Sequence, residues 1–200
     1  MINFSTFKID SPDSVICSLI VQRKSIRYTA NKKSRYLKAY SLYKRKTEPM
    51  KKISEILTVD RIKDITSVTK DKVLAEMSEM VADASEVTSP DALLRAIKAR
   101  EAIMSTGIGM GIAIPHAKTS SVTDFVMAVG RSKDGVNYQS LDNLPVHLII
   151  LIVASDTQGK DFLKLLGKIG AFFNTPGNKE KSLRAKTPEK VLMLFKKIDS

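Results

Sequence analysis

The sequence predicts an α/β protein, a three-layer α/β/α sandwich with a mixed sheet, preceded by a poorly ordered basic extension. Three observations carry that prediction. The first is a nearly continuous apolar, β-branched run, Val146 to Ala154, which reads as a central strand covered on both faces. The second is order: helical spacing precedes this region, strand patterns surround it, and helical spacing returns after it. The third is the turn signal Lys133-Asp134-Gly135, which predicts a hairpin and so one antiparallel pair in the sheet.

The elements follow in order. Lys51 to Leu57 reads as a short helix with Ile53, Ile56 and Leu57 on one side, and a first strand is expected within Val59 to Ile65. Thr69 is placed to cap a helix whose residues Val73, Leu74, Met77, Met80 and Val81 share one face. Ser89-Pro90 is a cap followed by proline at the first helical position, and the helix it opens should run to about Met104 with Leu93, Leu94, Ile97 and Ile103 inward. Ile112 to Ile114 and Asp124 to Val129 read as strands, with Val136 to Tyr138 continuing the hairpin. Asp161 to Phe173 has Phe162, Leu165, Leu166, Ile169 and Phe173 at helical spacing. Thr187-Pro188 repeats the cap-plus-proline start for a last helix to Ile198.

Charge divides the chain. Of the net +12, residues 1–49 hold eleven Lys/Arg against three acids, a net +8; residues 50–200 hold 22 against 18, a net +4. The expected organisation is therefore a basic extension over 1–49 and one domain over 50–200, with Met50 a plausible natural start. Tyr28, Tyr36, Tyr40 and Tyr43 interleave the basic residues, a composition that can grip nucleic acid or form a leader with no role of its own, and no nucleic-acid partner is expected. The one cysteine, Cys17, excludes an internal disulfide framework, and one Cys with two His excludes a zinc site; no metal and no cofactor are expected. The longest apolar runs, Val15 to Val21 and Leu148 to Ala154, are too short to span a bilayer. No membrane insertion and a cytoplasmic address are expected.

Chemistry concentrates in Ser105-Thr106-Gly107-Ile108-Gly109-Met110-Gly111, followed by Ile112-Ala113-Ile114-Pro115-His116. Alternate glycines let a backbone turn sharply and offer N–H groups to an anion. The triplet precedes a strand, so it is not a dinucleotide fingerprint, and no Lys-Ser/Thr follows to make a P-loop. Pro115 is expected to end a strand with His116 at its tip, where neutral imidazole can act as a nucleophile and carry a phosphoryl group. Arg100 lies close upstream and can pair with phosphoryl oxygens; Glu101 could orient it or simply be solvated. His147 reads as a polar strand-end residue. Paired carboxylates and a Ser-His-Asp arrangement are absent from the sequence pattern.

Arg100-Glu101, then Ser105 to Gly109, then Gly111 to His116 closely resemble the active-site segment of the fructose/mannitol-type enzyme IIA domains of the bacterial phosphoenolpyruvate-dependent sugar phosphotransferase system, including the nitrogen-regulatory enzyme IIA branch. Asp134-Gly135-Val136 and Asp142 to Val146 resemble the family's middle hairpin and the lead-in to its central strand. The resemblance covers about 51–200. It implies a three-layer sandwich and a phosphotransferase component in which His116 accepts a phosphoryl group from the phosphocarrier HPr or a paralogue. The group then passes to a cysteine of an enzyme IIB domain, or the phosphorylation state is read by regulated target proteins. It further implies that Arg100 contacts the phosphoryl group and that Ser105, Thr106, Gly107 and Gly109 form its anion cradle. Two positions depart from the pattern. Ala117 follows the histidine where glycine is usual. Where many members carry a second histidine, this chain reads Gly159-Lys160-Asp161-Phe162-Leu163, so Asp161 or Phe162 takes that place. Asp161 could hold the His116 ring; Phe162 could not. A competing reading is a non-catalytic binding module with a vestigial site, using residues 1–49 on nucleic acid.

Overall fold

A computed structural model describes residues 51–199. The extension over 1–49, and the nucleic-acid grip considered for it, lie outside the described residues. Along the chain run α1 (Ile53–Ile56), a 3-10 turn (Val59–Arg61), β1 (Ile62–Asp64), α2 (Lys70–Glu79) and α3 (Pro90–Ile103). Then come β2 (Gly107–Gly109), β3 (Ile112–Ala113), β4 (His116–Lys118), β5 (Val126–Val136) and β6 (Val146–Ala154). The chain continues with α4 (Gly159–Asn174), α5 (Asn178–Arg184), α6 (Pro188–Phe195) and a 3-10 turn over Lys196–Asp199.

The strands form one mixed six-stranded sheet in the order β1-β5-β6-β3-β2, with β4 also on β6. β5 runs antiparallel to β6, while β3 and β4 run parallel to it. Strand alternation sorts the layers. Leu148, Ile150, Ile152 and Ala154 pack against Phe162, Leu165 and Ile169 of α4 and Val191 and Phe195 of α6. Ile149, Leu151 and Val153 pack against Val73, Leu74 and Met77 of α2 and Leu93 and Ile97 of α3. β6 is thus covered on both faces, as its β-branched run predicts, and the three-layer sandwich with a mixed sheet is the observed fold. Truncating one of its leucines or isoleucines to alanine should cost about 2–5 kcal/mol.

The proline-opened helices start as the sequence predicts: the side chain of Ser89 accepts from the N–H of Ala92 and that of Thr187 from Lys190. Four local expectations change. Ile103 is 81% exposed, because it comes six residues after Ile97, about 240° further round the helix, while the buried stripe of α3 continues through Glu101. Lys133-Asp134-Gly135 is not a hairpin turn: β5 continues to Val136 through a bulge between Arg131 and Val136, and the chain reverses later, between Val136 and Val146. The last α-helix stops at Phe195 and tightens to 3-10 geometry. α5 has no counterpart among the predicted elements. Among the described residues no helix is long and apolar enough to cross a membrane.

Candidate functional site

β3 and β4 are one strand interrupted once. Ile112 pairs with Leu148, Ala113 with Ile149 and His116 with Ile152, a constant offset along β6. Pro115 has no N–H, so the ladder loses a bond there, but its carbonyl still accepts from the N–H of Ile152 at 3.0 Å. His116 therefore sits in resumed pairing, not at a strand tip; this corrects the sequence expectation. Pairing with Ile152 and Ala154 puts His116 and Lys118 on the α4 side of the sheet, and Ala117 in the opposite core.

The His116 ring is fixed by its own backbone. Its Nδ1 donates to the carbonyl oxygen of Ile114 at 2.7 Å. A carbonyl has no proton to give, so Nδ1 carries the proton and Nε2 keeps its lone pair. The ring lies against Phe162, centroids 5.8 Å apart and tilted by 59°. Burial holds its pKa below the ordinary imidazole value and the charge of Arg100 pushes the same way, while the Ile114 bond and Glu101 oppose. The outcome is a neutral imidazole in a single tautomer.

Arg100 lies in the last turn of α3, where Nη1 donates to the Met104 carbonyl at 2.9 Å. It makes no ion pair among the described residues, so the rest of its donor fork is uncommitted.

Glu101 does not orient Arg100. It is 7% exposed and turned inward. It accepts from the Thr106 N–H at 3.0 Å, from the Thr106 hydroxyl and from the Tyr138 hydroxyl at 3.3 Å, and it pairs with Lys70 at 3.1 Å. Burial first, and the charge of Glu101 with it, drive the Tyr138 phenol well above its usual pKa. Thr106 is buried, and its carbonyl accepts from the Ile114 N–H at 2.9 Å. A chain of contacts thus runs from Lys70 through Glu101, Thr106 and Ile114 to the His116 ring.

The glycines fall elsewhere. β2 and β3 form a tight hairpin in which Gly109 pairs with Ile112 across Met110-Gly111. Met110 and Gly111 both have positive φ, 54° and 73°, as a type I′ turn requires. The Met110 N–H is taken by Asp142 at 2.7 Å. Ile112 and His116 are four residues apart on a common register, about 13 Å at ~3.3 Å per residue. Gly109 is therefore held at the hairpin end, about that far along the sheet from His116, while Gly107 pairs with Ala113 beside Thr106. Ser105 accepts from the Gly107 N–H at 3.3 Å and lines an open cleft of about 440 Å³ with Lys70 and Lys98.

Of Asp161 and Phe162, it is Phe162 that lies against the His116 ring. Asp161 stands outward, 3.5 Å from Lys164. Sequence reasoning missed Lys118, whose Nζ lies 3.7 Å from where a Cβ on Gly159 would sit, at the start of α4. Its signal is its spacing of two from His116, which matters only if pairing resumes after Pro115. His147 is a strand-end residue whose Nδ1 donates to the Ser132 carbonyl in the β5 bulge at 3.0 Å.

Comparison with known proteins adds to this geometry. A family model described as "Phosphoenolpyruvate-dependent sugar phosphotransferase system, EIIA 2" matches residues 55–198. The PTS system fructose-specific EIIABC component of Bacillus subtilis (strain 168) is 38% identical over 149 residues, 74% of this chain; the chain spans 24% of that relative's length. The crystal structure of Nitrogen Regulatory Protein IIA-Ntr from Neisseria meningitidis superposes with a TM-score of 0.67 at 26% identity, over 72% of this chain and 98% of that one. Enzyme IIAMTL from Escherichia coli, solved in complex with phosphorylated enzyme IIBMTL, shares the fold with a TM-score of 0.60 at 19% identity, over 70% and 96%.

Proposed function

The chain belongs to the EIIA type 2 family of the phosphoenolpyruvate-dependent sugar phosphotransferase system, a phosphocarrier family, and we propose that its phosphoryl group is carried on Nε2 of His116. One observation carries this reading: the bond from Nδ1 to the Ile114 carbonyl leaves Nε2 as the only free ring lone pair. In the transfer, that lone pair attacks the phosphorus of a donor phosphohistidine, taken to be an HPr-type protein. The new N–P bond forms as the donor's N–P bond breaks, and the donor imidazole leaves with the bonding electrons. The positive charge that develops on the His116 ring is met by the Ile114 carbonyl.

The remaining work is charge compensation and alignment. Arg100 supplies a planar donor fork and Lys118 a second cation from the same strand as the nucleophile. The first turn of α4 brings unpaired N–H groups and the positive end of its dipole to the same side of the sheet. Onward transfer delivers the phosphoryl group to an enzyme IIB cysteine, or its presence is read by regulated proteins; the fructose-system and nitrogen-regulatory likenesses support these two outputs respectively. The domain 50–200 acts as the phosphocarrier in either case. Incubation of the full chain with phosphoenolpyruvate, enzyme I and HPr tests the proposal. The expected result is an acid-labile mass gain of one phosphoryl group that His116→Ala abolishes. No gain with any of several HPr partners would overturn it.

A further inference from the structure

The net charge of the domain has an address. Residues 178–199 carry seven Lys/Arg against three acids, a net +4, and this equals the net charge of all residues 50–200. Everything else in the domain is balanced. These residues are α5, α6 and the closing 3-10 turn. Between the two helices lies an open groove of about 690 Å³. Lys181 and Arg184 line it from α5, and Lys190 and Lys197 from α6 and the turn after it. Among the described residues none of these four has a carboxylate within ion-pair distance. The one acid in the groove, Glu180, already has Lys179 at 3.5 Å.

The floor of the groove is apolar. Met193 and Leu194 line it, and Met193 is 66% exposed although it lies on a helix whose other face packs into the core. The connector between the helices is fixed, since Arg131 of β5 donates to the Ala185 carbonyl at 2.6 Å. A preformed apolar strip flanked on both sides by cations is therefore presented to solvent.

We propose that this groove docks an acidic amphipathic segment of a partner protein, its apolar side chains on Met193 and Leu194 and its carboxylates on the flanking cations. Charge selects the occupant. Residues 1–49, at +8, have the wrong sign, and a second copy of a chain at +12 is repelled. A nucleic acid matches the sign, but the lining holds no aromatic side chain on which bases stack and leaves Met193 without a partner. No lining residue belongs to the His116 site, so docking here proceeds whatever the state of the imidazole.

Fluorescence anisotropy with the full chain tests this. The probe is a labelled helical peptide of Glu and Leu with the leucines on one face; a Glu/Ser peptide of equal charge and a single-stranded oligonucleotide are the comparisons. The Glu/Leu peptide should bind about tenfold more tightly than the Glu/Ser peptide. Lys181→Glu with Lys190→Glu should weaken it by about tenfold or more, and Met193→Ser by several-fold. His116→Ala should leave the peptide affinity intact, and the groove variants should still accept phosphoryl groups. Equal binding of the two peptides, no response to the charge reversals, or tighter binding of the oligonucleotide at the same groove would each overturn the proposal. All three substitutions are at exposed positions, and a thermal melt confirms that the variants fold.

Discussion

His116 and Phe162 lie ring to ring, 5.8 Å apart, so the α4 side of the imidazole is an apolar wall. The wall desolvates the ring, and desolvation is the main reason its pKa lies below the ordinary value. The neutral, nucleophilic form then persists as the pH drops below 6.5. The rate of phosphoryl acceptance should stay level through that range and fall only below it. Phe162→Ala should let water in, move the His116 pKa up towards 6.5 in an NMR titration, and shift the acid limb of the rate profile to higher pH with it. The same substitution removes a buried core side chain and should cost about 3–5 kcal/mol in a urea titration.

The sign for stability follows from the same shift. The unfolded chain takes up the His116 proton first as the pH falls, so this group favours unfolding below 6.5. Its contribution is fully present above the unfolded value and is lost as the pH falls towards the folded one. His116→Gln should flatten that part of the stability profile, measured as denaturation midpoints across pH 5–8.

Arg100 and Lys118 supply charge from separate elements. Arg100→Ala should slow phosphoryl acceptance by about 10²-fold. Arg100→Lys should restore it only in part, because a point charge cannot reproduce the planar fork. Lys118→Ala should cost about tenfold, with little change in the melting temperature, since its side chain is exposed. Equal rates for Lys118→Ala and the parent chain would remove Lys118 from the site.

Glu101 anchors the route to the nucleophile. Glu101→Ala strips partners from the Thr106 N–H and hydroxyl, from Tyr138 and from Lys70, and should destabilise the domain by about 3–5 kcal/mol. Glu101→Gln keeps the shape and some of the bonds, so it should fold. Its readout is the His116 ring: a changed Nδ1–H signal in the folded protein shows that the contact chain sets the imidazole's geometry.

The glycine hairpin separates folding from chemistry. Gly109→Ala places a Cβ 3.0 Å from the Asp142 carboxylate, on a backbone with φ of +87°. It should cost about 1–2 kcal/mol while leaving phosphoryl acceptance unchanged per folded molecule. A specific loss of acceptance would restore the glycines to the anion site.

Much of this molecule was legible in its residues, for identifiable reasons. From Leu148 to Ala154 the run is apolar without a break because both its faces are buried. Ser89-Pro90 and Thr187-Pro188 announce helices through local chemistry that tertiary contacts do not override. α5 was invisible because Asn178–Arg184 is short and polar, with Leu183 its only apolar residue, so it has no period to read. The glycine run looked like a ligand loop because spacing alone cannot say that Gly109 pairs with Ile112. Lys118 went unnoticed because its relation to His116 depends on a strand that survives a proline. Glu101 was assigned by adjacency to Arg100, but on a helix neighbouring residues point about 100° apart, and it is buried with Thr106 instead.

The register along β6 does not slip across Pro115. His116 rides on a backbone held by β6 before and after the proline, and its ring is tied to that same backbone. Such an acceptor has nowhere to go when it is loaded. A protein that distinguishes the charged carrier from the empty one must then respond to added negative charge at a fixed point, not to a change of shape.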